Sequence, residues 1–196
     1  MKIVMCGVGG QGVLLATSLI GKAAMKKGID TKMCEVHGMA QRGGTVVAHL
    51  VLSNDYSPLI GKGQADAILS FEPAETFRFL ELGNINTHII INSSPIIPFT
   101  VALGLSKYPI IPEATKELKK DHSHVITIDA ISLAKEAGAR IAANVVLVGA
   151  LASIPNFPLS MDELKAEVKS TVKERFIETN LKALELGYKN AKELRQ

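Results

Sequence analysis

The chain has 196 residues, 47% hydrophobic and 21% charged, with no low-complexity run. That composition excludes a disordered or fibrous protein and supplies enough apolar surface for a core without metal or disulfide staples. A formal net charge of +3, with lysines spread among acidic neighbours, lacks the basic stripe of a nucleic-acid binder. No apolar run reaches the ~20 residues of a membrane span, and the chain starts on a strand where a secreted protein has a charged leader, so one domain over 1–196, in the cytoplasm, is expected.

Residues 2–6 (KIVMC) read as a buried strand, and 11–27 as a helix with apolar positions Val13, Ala16, Leu19, Ile20, Ala23 and Ala24. Lys26 and Lys27 sit at its negative pole, and Gly28 is its left-handed stop. A strand at 31–36 (TKMCEV) completes the first strand–helix–strand unit of a doubly wound sheet, whose crossover makes the two strands parallel. The glycine-rich loop 37–44 then leads into a strand at 45–52 with no helix between, and so short a link favours antiparallel pairing.

Alternation resumes with a strand at 66–71, a helix at 73–82 and a strand at 87–92. Pro95, Pro98, Pro109 and Pro112 keep 93–112 mostly extended or turning, with room for a helical turn at 99–105. A helix at about 113–119 and a strand at 124–129 follow. Segment 141–154 is apolar nearly all round, which means a central buried helix or an interface helix. Ser160 and Glu163 form a capping box that opens the next helix. A last helix at about 174–194 carries an apolar face of Phe176 or Ile177, Leu181, Leu184, Tyr188, Ala191 and Leu194, suited to packing on its own domain. The sum is an α/β, Rossmann-like, doubly wound three-layer sandwich: a mostly parallel sheet, an antiparallel strand after the second, and a helical C-terminus.

Gly7, Gly9 and Gly12 satisfy G-x-G-x-x-G between a strand and a helix. In that context the glycines permit a tight turn, an approach of backbone amides to a diphosphate at the helix N-terminus, and close helix–strand packing. Packing alone also accounts for them, because fold-level likeness does not define a ligand. Gly10 and Gln11 are extra to a nicotinamide fingerprint, and Gln11 sets an amide at the helix mouth for a ligand or a neighbouring chain. Glu35 is placed to hold a ribose hydroxyl. The loop after it brings His37, Gln41, Arg42, Gly43 and Gly44 to the same sheet edge, with Arg42 able to clamp a phosphate or carboxylate.

No catalytic residue stands out. G-x-S-x-G, H-E-x-x-H and a Walker lysine are missing, and Asp121, His122 and His124 read as a solvated turn better than as a zinc site. Cys6 and Cys34 lie in apolar runs and read as buried, reduced thiols.

GVGGQGV at the N-terminus, EVHGMAQRGG, SPLIGKGQADAILSFEPAET and the late ETNLKALELGY together resemble the gamma-type subunit family of 2-oxoacid:ferredoxin oxidoreductases, in the form found in small (beta) subunits of indolepyruvate:ferredoxin oxidoreductases. Val51 stands where that family often has a basic residue, which tells against a ligand role for the third strand. The resemblance implies a multisubunit enzyme that oxidatively decarboxylates aryl 2-oxoacids on thiamine diphosphate, sends electrons through iron–sulfur clusters to ferredoxin, and releases an acyl-CoA. Two cysteines cannot ligate a [4Fe-4S] cluster and no Gly-Asp-Gly stretch is present, so thiamine diphosphate, Mg and [4Fe-4S] are expected on a large (alpha) partner subunit, which ferredoxin meets. Coenzyme A is expected where the two subunits meet. The alternatives are the gamma subunit of a pyruvate or 2-ketoisovalerate:ferredoxin oxidoreductase, or a stand-alone oxidoreductase binding NAD or FMN.

Overall fold

The fold was obtained as a computed structural model that describes residues 1–38 and 43–195. Its centre is a six-stranded sheet: β1 (Lys2–Val8), β2 (Thr31–His37), β3 (Thr45–Leu52), β4 (Ala65–Ser70), β5 (Gly83–Asn92) and β6 (Val125–Ile128), in spatial order β2-β3-β1-β4-β5-β6. β1, β4, β5 and β6 pair in parallel, whereas β3 is antiparallel to both β1 and β2. The first unit therefore differs from the expected one in a single respect. β1 and β2 run in the same direction, but β3 is inserted between them, because the short 38–44 link lets β2 and β3 form a hairpin that docks on β1 as a pair.

β1, β3 and β4 are buried almost throughout, which is why they read as mostly apolar runs without alternation: each is covered on both faces. β2 is an edge strand and half exposed. Cys34 on it is accordingly only partly buried, contrary to expectation, while Cys6 on β1 is sealed. Burial pushes the Cys6 thiol up to about 12, so it stays protonated and inert.

One face of the sheet carries Ile3, Met5, Leu50, Leu69, Ile90 and Ile128 against α1 (Val13–Lys26) and the C-terminal helices. The other carries Val4, Cys6, Val51, Ile68, Ile89 and Ile91 against α2 (Pro73–Phe79) and, past the short α3 (Phe99–Ala102), α4 (Ile111–Asp121). Each such buried side chain is worth roughly 1.5–3 kcal/mol of transfer free energy, so these two layers hold the sheet.

α1 begins two residues later than its apolar spacing predicts, since Gly12 is left-handed and serves as N-cap. After β6 comes α5 (Ala130–Ala137), a helix not foreseen; Asp129 caps it by accepting from the Ser132 amide, and Gly138 ends it in the left-handed region. A 3-10 turn (Arg140–Ala142) leads into α6 (Ala143–Ala152), which is buried all round as its composition demands. α7 (Met161–Thr171) starts at the expected reciprocal cap between Ser160 and Glu163. α8 (Ile177–Glu193) lies along α6, with Asn180, Ala183, Leu184, Gly187 and Ala191 buried. Its inward stripe is centred on smaller residues than expected, and Leu194 faces solvent, because the two helices approach backbone to backbone.

The loop between β3 and β4 is tethered by the Ile60 N–H, which donates to His49 Nδ1 at 3.2 Å. Burial holds the His49 pKa below its ordinary 6.5, so the unfolded chain takes up the proton first. Its contribution to stability is present above that value and is lost as pH falls through it. His88, lowered mainly by burial and next by His124, acts with the same sign. The melting temperature should thus be lower at acidic pH than at neutral pH, and His49→Gln should shrink, without abolishing, the difference in thermal scans.

Candidate functional site

The carboxyl ends of β1, β4 and β5 meet at the point where connections leave the sheet in opposite directions: from β1 towards β2, from β4 towards β5. In open α/β sheets ligands bind in the crevice at such a reversal. The glycine turn lies there. Gly7, one residue before the end of β1, stands where a β-carbon would come within 2.6 Å of Gln11 Oε1 and 2.8 Å of Phe71 Cβ, so its smallness serves packing. Gly9 donates its N–H to the Gly44 carbonyl at 2.9 Å, which ties the two glycine turns together. Gly10, at φ +99°, faces open space, and Gly12, at φ +79°, has Asn144 Nδ2 against it where a β-carbon would stand.

Gln11 turns inward. Its Oε1 accepts from the Val8 N–H at 2.8 Å and its Nε2 donates to the Phe71 carbonyl at 2.8 Å, so both ends of the amide are spent tying the β1 turn to the end of β4. Glu35 and His37 are exposed on β2. Because β3 intervenes, Glu35 stands two strand spacings, roughly 10 Å, from β1, twice the step to an adjacent strand. That is not the arrangement in which an acid on a neighbouring strand holds the ribose of a dinucleotide. In the second turn Gly38 donates to the Thr45 carbonyl at 2.9 Å and Gly44 accepts from Gly9. Gln41 and Arg42 lie outside the described residues.

Two cavities open on this edge, one on each side of the sheet. The first, about 440 Å³, is lined by Gly10, Gln11, Phe71, Asn92, Ser94, Arg140 and Asn144 with an apolar wall of Ile96, Ile131, Ile141 and Leu147. The second, about 600 Å³, lies between Gly43 and Thr45, the start of α2, and a strap formed by residues 96–109. Glu72 is its structural hub. It is 2% exposed, caps α2 by accepting from Ala74 N–H (2.8 Å) and Glu75 N–H (3.2 Å), and through Oε1 holds both ends of the strap, the Ile96 N–H and the Tyr108 hydroxyl. Burial, and next that hydrogen bond, push the Tyr108 phenol up, so it remains a donor.

Arg140, Asn144, Glu72 and Tyr108 were not singled out by sequence. The only signal was Glu72 directly before Pro73, a cap followed by a first-turn proline.

Among the described residues no group of three or more His, Cys, Asp or Glu side chains is placed to hold a metal. Cys6 is sealed on β1 and Cys34 lies on β2 beyond β3, so they do not fit an iron–sulfur cluster. The His124 ring lies beside that of His88, centroids 4.6 Å apart. No helix of the described residues is long and apolar enough to cross a membrane.

Residues 2–190 match the family described as pyruvate ferredoxin/flavodoxin oxidoreductase. The chain belongs to that family. Within the pyruvate ferredoxin/flavodoxin oxidoreductase family it is 42% identical to indolepyruvate oxidoreductase subunit IorB of Thermococcus kodakarensis, over 98% of this chain and 96% of that protein. It is 40% identical to the protein of the same name from Archaeoglobus fulgidus, over 97% and 95%. In fold it is similar to the keto/oxoacid ferredoxin oxidoreductase gamma subunit of Geobacter sulfurreducens, with a TM-score of 0.71 at 24% identity and 97% coverage of both chains. The inserted antiparallel β3 thus sits within the stretch that the family match covers.

Proposed function

We propose that the chain is the small subunit of an indolepyruvate:ferredoxin oxidoreductase, a single domain that completes the active-site wall of a larger, thiamine diphosphate- and iron–sulfur-bearing subunit in the cytoplasm. The supporting observation is the near-full-length likeness, at about 40% identity, to proteins carrying that subunit name. The chemistry of the chain agrees with it. Electron transfer to ferredoxin needs [4Fe-4S] clusters, which this chain's two separated cysteines do not fit, and these, with the thiamine diphosphate and Mg that aryl 2-oxoacid decarboxylation needs, belong on the partner. What the chain offers is an edge of two joined glycine turns beside a cavity, suited to receiving coenzyme A where the subunits meet. The displacement of Glu35 by β3 disfavours the rival, an independent NAD or FMN enzyme.

Co-expression with the large subunit, followed by indolepyruvate-dependent dye reduction, tests the reading. Activity should require both chains, with neither turning over alone. Full activity of the large subunit without this chain, or nicotinamide-dependent turnover by this chain by itself, would overturn it.

A further inference from the structure

The strap over the second cavity, residues 96–109, is built in the reverse sense to a loop that packs on its own domain. Its anchors, the Ile96 N–H and the Tyr108 hydroxyl, turn inward to Glu72, while Ile97, Phe99, Leu103 and Leu105 face solvent. Phe99 and Leu105 are 75% and 74% exposed, and no residue of the strap is buried. Lys107 is its one charged residue, in a chain that is 21% charged. Large apolar side chains gathered on so charge-poor a surface mark a face that another molecule covers.

We infer that the strap is a docking element for the large, thiamine diphosphate-bearing subunit, received by a concave, apolar, charge-poor face of that subunit. The inference rests on the small-subunit reading for the identity of the partner. Area and position select this occupant. The exposed faces of Ile96, Ile97, Phe99, Leu103 and Leu105 amount to on the order of 500 Å², the larger part of the about 800 Å² that each partner gives to a stable interface. The strap is also continuous with the edge that this reading turns towards the partner. Its cavity is lined by Gly43 and Thr45, and Gly44 between them accepts from Gly9 of the first glycine turn. A second copy of this chain is the poorer occupant, because a two-fold pair sets one protruding strap against an identical one, and two convex elements share little area. Docking also accounts for the slender tether. Glu72 holds the strap in place in the free chain, and the partner supplies the burial that this chain's own core does not.

Titration calorimetry between the two separately purified full-length subunits tests it. Phe99→Asp and Leu105→Asp should each weaken the complex about thirtyfold or more, the loss that follows when an anchor at the centre of an interface is removed. Both side chains are exposed, so the melting temperature of the free chain should not change. Ile85→Asp, at a site 71% exposed near the start of β5 on the opposite edge of the sheet, should bind as wild type does. Amide exchange in the strap should slow when the large subunit is added. Wild-type affinity in both strap variants, an equal loss in Ile85→Asp, or strap exchange unchanged in the complex would overturn the inference. Dye reduction that still requires both chains would then leave the small-subunit reading intact. Self-association of the free chain that the strap variants abolish, with affinity for the large subunit unchanged, would assign the strap to a second copy and overturn the inference likewise. A wild-type chain that binds no large subunit would overturn the reading and the inference together.

Discussion

Gly187→Ala should destabilise the chain by about 3–4 kcal/mol, the upper end of overpacking, and lower its melting temperature by about 10 °C. In an isolated helix the same change would stabilise by ~1 kcal/mol, because alanine is the better helix former. Geometry reverses the sign. A β-carbon on Gly187 would lie 2.7 Å from the Val146 carbonyl carbon and would be driven into its oxygen, and one on Gly149 would lie 2.9 Å from the Leu184 carbonyl carbon. These are backbone atoms of two buried helices and cannot turn aside as a side-chain tip does. Gly149→Ala should behave alike, and the double variant should cost less than the two combined, because one separation of α6 from α8 relieves both clashes. Chemical denaturation checks the series; an unchanged or raised midpoint for Gly187→Ala would refute the close approach.

Glu72→Ala should have the second-largest effect, about 2–4 kcal/mol, with a local signature that identifies its origin. It removes the α2 cap and leaves the amides of Ala74, Glu75 and Ile96 and the Tyr108 hydroxyl without their common acceptor. The strap from 96 to 109 contains no buried residue and only the four-residue α3, so little besides this carboxylate holds it down. Tyr108→Phe cuts a single tether and should lose about 1–2 kcal/mol, raising hydrogen exchange in the strap roughly tenfold while leaving β1 and β4 protected. Exchange in the strap that is the same in both variants as in wild type would show that something else secures it.

Much of the fold was legible because it is locally encoded. The β1–turn–α1 unit, the alternation from β4 to β6 and the Ser160–Glu163 cap each follow from residues within a few positions of one another. α5 carried its own marks in Asp129 and Gly138, yet the short apolar run between them was too brief to impose a period. The insertion of β3 was hidden for a different reason. Its antiparallel sense follows from the short link to β2, but its place against β1 is decided by pairs such as Val4 with His49, far apart in the chain. The same holds for the site. The glycine turn announces itself, whereas Asn144 reaches Gly12 only after α6 has packed against α1, and Arg140 arrives with it. The partnership of Gly149 and Gly187 with the facing carbonyls depends likewise on two helices that the sequence places apart.

The position of β3 also dictates an order of assembly. β2 and β3 are sequence neighbours and close over a few residues, a step of microseconds, while the β1–β3 pairing spans α1 and the whole of β2. Until the ribbon arrives, β1 presents an unpaired and, beyond Lys2, apolar flank on that side, the kind of strand border that recruits other chains. A substitution that slows ribbon closure therefore acts first on yield during synthesis, through aggregation of a half-built sheet, before it alters anything measurable in the finished molecule.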